Sequence, residues 1–203
     1  MSTYDAVTVA DLADYPLDAA VEIVEGTIYL TRPGGFDVAD LDAIPDDGRR
    51  HELLDGVIVM SPSGRRKHQR AVTRLAHLLI NAAPDHLEVL VAPLDVAAGP
   101  RSQVQPDVIV LPQDETERPV PPPLLAVEVL SPSNRRHDLV AKRNLYERAE
   151  IPSYWIIDPD EPSLTVLTHR DGALVQTAKA VSDETLVLDQ PYEVSISPAA
   201  LVR

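Results

Sequence analysis

The sequence predicts an α/β (α+β) domain with a mixed central β-sheet flanked by helices. Three observations carry this prediction. Short Val-, Leu- and Ile-rich runs alternate with helical patterns in the order hairpin, helix, three strands, helix, strand. The run 124–130 (LLAVEVL) is apolar on both faces apart from Glu128, as expected of a central strand covered on both sides. Of 203 residues, 44% are apolar and only 4% aromatic, so the core is one of Val, Leu, Ile and Ala, large enough for one domain and an appended segment.

From the N-terminus, an internal repeat comes first. VADLADYP at 9–16 resembles VADLDAIP at 38–45, and VEIVEGTIYLTRPG at 21–34 resembles HELLDGVIVMSPSG at 51–64. Each copy reads as a short helix followed by a β-hairpin, with Glu25-Gly26 and Asp55-Gly56 placed as two-residue turns of type I′. A unit of this size repeated once is too small for a solenoid. The second copy leads into the rest of the chain, while the first reads as an extension that covers something. This divides the chain into an acidic N-terminal extension, 1–36, and a main domain, 37–203.

Residues 66–81 form a helix, with Val72, Leu75, Ala76 and Leu79 at helical spacing. Strands follow at 87–96, 107–111, 124–130 and 153–158, the third preceded by the rigid Pro-rich loop PVPPP at 119–123. A second helix covers 138–150, with Asp138 as its N-cap and Pro152 beyond its end. The stretch 163–189 reads as a hairpin turned at Asp171-Gly172 and one more short strand.

Composition excludes several classes. Without cysteine there are no disulfides or thiolate metal sites. No apolar run reaches the ~18 residues of a membrane span, and the first residues lack the basic and apolar regions of a signal peptide, so a cytoplasmic location is expected. Residues 1–48 carry eleven acids and one base, Arg32, and so hold −10 of the net charge of −14. Such a field argues against non-specific coating of nucleic acid; its simplest reading is solubility. The bases comprise fifteen arginines and only three lysines, Lys67, Lys142 and Lys179, so a lysine in a buried setting stands out.

The chemistry centres on Asp107, Glu128 and Lys142. An isolated carboxylate on a doubly buried strand requires a cation, a donor or a proton, so Glu128 is either salt-bridged or functional. Asp107 opens the strand DVIVL and on its own would read as a turn or cap residue. On a wheel of 138–150, Lys142 falls in the middle of an arc formed by Leu139, Leu145, Tyr146 and Ala149, while Arg143 and Arg148 fall elsewhere. Lys142 therefore faces the sheet. Beside two carboxylates it is either a plain ion pair or a cation that activates water or steadies a phosphoryl transition state. Such a pocket offers oxygen ligands to a hard divalent ion such as Mg2+.

Glu52 is a further candidate, because it shares an apolar hairpin face with Leu54, Val57 and Val59. Its repeat counterpart Glu22 lacks any following Asp, Glu and Lys and reads as structural. His68 lies in the apolar arc of its helix, as either a satisfied core histidine or an accessory group. The Arg66, Arg70 and Arg74 stripe opposite reads as the solvent face. The segment from Ser131 to His137 leaves the strand just after Glu128 and brings hydroxyls and bases near the pocket.

These residues carry a resemblance. HELLDGVIVMSPSGRRKHQR, QPDVIVL and LLAVEVLSPSNRRHDLVAKRNLYERAEIPSYWIIDP together resemble the Uma-two family, restriction-endonuclease-like proteins of the PD-(D/E)XK nuclease superfamily, over residues 38–203. The resemblance implies a restriction-endonuclease-like mixed sheet, Mg2+ dependence (with Mn2+ as substitute) and hydrolysis of phosphodiester bonds in DNA. Residue by residue, Asp107 matches the PD aspartate, Glu128 the (D/E) and Glu52 the N-terminal acid, with Asp107 and Glu128 as metal ligands. Leu130 stands where the superfamily lysine is expected, and Lys142 on the following helix takes its place. Gln105, Ser131, Asp138 and His68 are accessory candidates. The leading repeat at 8–34 is foreign to the pattern.

Two alternatives stay open beside an Mg2+-dependent endonuclease. The chain is a non-catalytic binding or regulatory module in which Asp107, Glu128 and Lys142 form a structural ion-pair cluster, or it is self-inhibited, with the acidic N-terminus covering the site. Cleavage of both duplex strands is compatible with a homodimer, and no membrane partner is expected.

Overall fold

The computed structural model describes residues 18–44, 49–62, 64–113, 120–131, 135 and 137–203. The 9–16 half of the first repeat copy, Pro119 and several residues between Ser131 and His137 lie outside them. The described residues form two six-stranded sheets. The first contains β1 (Ala20–Val24), β2 (Thr27–Thr31), β3 (Arg50–Leu54), β4 (Val57–Ser61), β6 (Val96–Ala97) and β7 (Gln103–Val104), in the order β1-β2-β4-β3-β7-β6. The second contains β5 (Leu87–Val91), β8 (Val108–Pro112), β9 (Leu125–Val129), β10 (Ser153–Asp158), β11 (Ser163–Arg170) and β12 (Ala173–Val181), in the order β12-β11-β10-β9-β8-β5.

The second sheet is mixed, as expected: β9 and β10 run parallel and the other pairs antiparallel. A small β13 (Leu186–Leu188) and β14 (Val194–Ile196) ladder lies apart from both. The helices are α1 (Val38–Asp42), α2 (Arg66–Ala82), α3 (Arg143–Arg148) and α4 (Pro198–Val202).

Both hairpins of the repeat turn as their sequences dictate. Glu25-Gly26 and Asp55-Gly56 each place two consecutive residues at positive φ, the signature of type I′, as does the third hairpin at Asp171-Gly172. The first hairpin joins the second edge to edge: β2 pairs with β4, and Ile28 and Leu30 bury against Leu53, Ile58, Met60 and Phe36. It thus covers the edge of β4 and the back of the second hairpin. Helix α1 starts at Asp37, whose side chain accepts from the Asp40 N–H while Asp40 returns the bond.

The two faces of β9 divide the core. Leu125, Val127 and Val129 pack with Ala71, Val72, Leu75 and Leu79 of α2. Ala126 and Leu130, on the opposite side, pack with Leu145 and Tyr146 of α3 and with Leu54, Val59 and Val104 of the first sheet. All five residues of β9 are buried, so this strand is doubly covered, as its composition requires.

Two expectations are corrected. The run 87–96 is not one strand: β5 stops at Val91, just before Pro93, which cannot donate to a ladder, and the chain re-enters the other sheet at β6. The helix expected at 138–150 begins as a π-helical turn, His137–Lys142, and becomes α only at Arg143. The wider turn rotates Leu139 out of the buried arc to 38% exposure, and Ala141 packs on the core in its stead. The Arg66, Arg70 and Arg74 stripe faces solvent, as expected. Arg70 and Arg74 donate to the Val202 and Ala200 carbonyls, tying down α4.

Candidate functional site

The site forms where the chain crosses from one sheet to the other. After β7 it passes through Gln105-Pro106-Asp107 into β8, which brings Asp107 to the end of β9. Beyond the last paired residues, Val108 and Val127, the Val129 N–H donates to Asp107 Oδ2 at 2.8 Å. The carboxylate thus continues the ladder with a side chain. His68 of α2 reaches the same oxygen through Nε2 at 3.1 Å, and because an ionised carboxylate only accepts, Nε2 carries the proton. His68 is therefore a buried partner of Asp107. Its Nδ1 has no hydrogen-bond partner, and a Cβ added to Gly64 would lie only 2.8 Å from it.

Glu128 and Glu52 converge on Lys142. The Lys142 Nζ lies 2.9 Å from Glu128 Oε1 and 2.9 Å from Glu52 Oε1. Its side chain is 3% exposed, so the inward orientation read from the wheel holds despite the π-helical turn. Tyr146, one turn along, donates its hydroxyl to Glu128 Oε1 at 2.7 Å. Glu52 Oε1 also accepts the Gln105 N–H at 2.7 Å. The Gln105 side chain turns away from that bond and donates to Asp95 at 2.9 Å.

Sequence reasoning missed Arg50. From β3 its guanidinium donates to Asp107 Oδ1 at 3.0 Å and to Glu52 Oε1 at 3.1 Å, also meets the Gln105 carbonyl, and stands 3.9 Å from Glu128 Oε2. A signal was present. Arg50 lies two residues before Glu52 on a strand, hence on the same face, and the repeat has Ala20 in the equivalent place. Glu22, in the copy without the arginine, is exposed. Tyr146 was counted only as part of an apolar arc.

The electrostatics differ among the three acids. Burial alone would raise Asp107, but the His68 hydrogen bond and the Arg50 charge overcome it and hold the carboxyl below its ordinary range. Burial is likewise outweighed at Glu52 by Arg50 and Lys142, which lower it. At Glu128 burial prevails over Lys142 and is reinforced by the Asp107 charge, raising the group to about 7. Tyr146 is pushed well above the ordinary tyrosine value by burial and by the Glu128 charge.

Among the described residues, no group of three or more His, Asp or Glu is arranged to hold a metal. Arg50 stands where the three acids converge. The donor set nevertheless suits a hard divalent cation: it consists of carboxylate oxygens, and Glu128 Oε2 is buried with no hydrogen-bond partner. Ser131 is half-buried at the end of β9. The Asp138 side chain and the bases of the loop after Ser131, except Arg135, lie outside the described residues; Arg135 pairs with Asp158 at 2.5 Å. No helix among the described residues is long and apolar enough to cross a membrane.

Comparison with known proteins gives a family match and a similar solved structure. Residues 38–199 match the family model described as "Uma2: Putative restriction endonuclease". The fold is similar to a crystal structure described as a "putative nuclease belonging to DUF820" from Anabaena variabilis ATCC 29413, with a TM-score of 0.65 and 16% identity, covering 82% of this chain and 97% of that one. No curated protein matches.

Proposed function

From the premise that the chain belongs to the Uma2 family of restriction-endonuclease-like proteins, whose model matches residues 38–199, we propose that it is a divalent-metal-dependent endonuclease hydrolysing phosphodiester bonds of DNA. The observation that carries this reading is Glu128: a carboxylate on a fully buried strand, beside Asp107, with one oxygen lacking a hydrogen-bond partner and the other facing the Lys142 ammonium. A structural core has little reason to keep such an arrangement, because apolar residues of similar volume do as well or better.

In the proposed mechanism Asp107 and Glu128 hold the ion, Mg2+ or in its place Mn2+, with Glu52 as a third carboxylate. A divalent ion there supplies Lewis-acid charge that eases ionisation of the attacking water and offsets the charge of the phosphate. Lys142 orients that water and stabilises the negative charge developing on the phosphoryl oxygens. His68 fixes the rotamer of Asp107, and Tyr146 that of Glu128, so the two ligands are positioned before substrate arrives. We assign the activity to residues 37–203, with 1–36 as an appended segment, and place the protein in the cytoplasm, where its substrate is.

A second reading is favoured by the pairing of both Asp107 carboxylate oxygens and of Glu52 Oε1 with protein donors. On it, Asp107, Glu128 and Lys142 are a structural ion-pair cluster in a non-catalytic binding module. Cleavage assays on single-stranded, double-stranded and branched DNA in Mg2+ or Mn2+ separate the two. The nuclease reading expects cleavage that is lost on adding EDTA and in Asp107→Asn and Glu128→Gln. Intact DNA of every form overturns it.

A further inference from the structure

Resting on the reading just given, we propose that Arg50 is the placeholder of the cation site and the residue that binds the substrate phosphate: without metal its guanidinium stands among the carboxylates, and with metal it turns outward onto the phosphodiester. The geometry is that of a shared cation. One side chain lies 3.0 Å from Asp107, 3.1 Å from Glu52 and 3.9 Å from Glu128, the same three acids a metal would draw together. Lys142, by comparison, stands 2.9 Å from both Glu52 and Glu128.

Exposure distinguishes the two cations. The Arg50 side chain is 21% exposed, whereas its acidic partners are at most 4% exposed and Lys142 is 3% exposed. Arg50 therefore enters from the solvent side and has room to withdraw toward it, while Lys142 is enclosed. Charge gives the direction of movement. With all three acids ionised, Lys142 and Arg50 leave the cluster at −1. A divalent ion brings it to +1, the complement of a phosphodiester, and repels the guanidinium from the centre. A planar guanidinium held at the rim is suited to bidentate contact with phosphate oxygens. The repeat supports this assignment, since Ala20 replaces Arg50 in the copy that has no carboxylate cluster.

The test is Mn2+ binding to the full chain without DNA, read by the EPR signal of free Mn2+, together with DNA binding in non-cleaving Ca2+. Removing the competing guanidinium in Arg50→Met should tighten Mn2+ binding by about tenfold or more, the scale of one hydrogen-bonded charge contact. Arg50→Lys keeps the charge but cannot bridge, so it should fall between the two and serves if Arg50→Met does not fold. At saturating Ca2+, DNA binding by Arg50→Met should weaken. Variants that bind Mn2+ no tighter than wild type overturn the placeholder role while leaving the nuclease reading intact. Tighter Mn2+ with unchanged DNA binding overturns the outward turn. Absence of Mn2+ binding in wild type and variants alike overturns both this inference and the proposed function.

Discussion

Lys142 bonds Glu52 as closely as it bonds Glu128: its Nζ stands 2.9 Å from Glu52 Oε1, so the helix after β9 is tied to a strand of the other sheet. The ammonium is thus a junction between the two sheets as well as a charge in the site. Removing it leaves two buried carboxylates facing each other. Lys142→Met should therefore lose about 3–5 kcal/mol of stability, measured by urea unfolding, the cost of breaking a buried pair by removing one partner. The protein that remains folded should lack DNA cleavage. An unchanged or increased stability would show that the ion pair is not structurally required.

Metal binding should depend on pH through Glu128. This carboxyl is raised to about 7, and it must be ionised to ligate a metal. Mn2+ affinity should therefore fall by about tenfold per pH unit below ~7 and level off above it. Stability follows with the opposite sign. Below the ordinary value near 4.5 Glu128 is protonated whether the chain is folded or not. Between that value and 7 only the unfolded chain ionises freely, so the contribution of Glu128 falls as pH rises across this window. Glu52 and Asp107 are lowered and oppose this, adding stability that is lost as pH drops through the acid range. A Mn2+ titration at several pH values, with the Glu128→Gln variant as control, reads the effect.

Tyr146 should tune the same group. Tyr146→Phe removes the 2.7 Å donor to Glu128 Oε1 and no carbon atom. It should cost about 1–3 kcal/mol in thermal or urea unfolding. Because the lost bond favours the ionised form, the midpoint of the Mn2+ pH profile should move upward, a shift that a merely packed tyrosine would not give.

The arginines of α2 should matter little for DNA. Arg70 and Arg74 are bonded to the Val202 and Ala200 carbonyls. Neutralising both with alanine should lower stability by about 1 kcal/mol, since exposed contacts of this kind are weak. DNA affinity and its salt dependence should stay within about twofold of wild type, whereas true phosphate contacts would flatten the salt slope. A filter-binding salt titration measures it.

How legible the molecule was in its sequence varied with the kind of signal. Hairpins were readable, because Glu25-Gly26, Asp55-Gly56 and Asp171-Gly172 leave few turn types open. The central position of β9 was readable from its doubly apolar composition, and Glu128 was conspicuous for interrupting it. Residues paired across long separations were not. Strand β7 has two residues and pairs with β3 only through Leu53 and Gln103, so no periodicity marks it. The π-helical turn falsified the wheel at Leu139 but spared Lys142, which sits where the helix becomes regular. Arg50 stands beside Arg49 just ahead of the second hairpin, marked by its spacing from Glu52 and its alignment with Ala20.

The most direct measurement is a crystal of the protein soaked in Mn2+ and examined for anomalous density. An ion bound between Asp107 and Glu128, with Arg50 displaced toward solvent and Lys142 still on Glu52, is the result predicted. Crystals that show no ion at these carboxylates at saturating Mn2+, with Arg50 still on Asp107, would contradict the account and leave the cluster a structural ion pair.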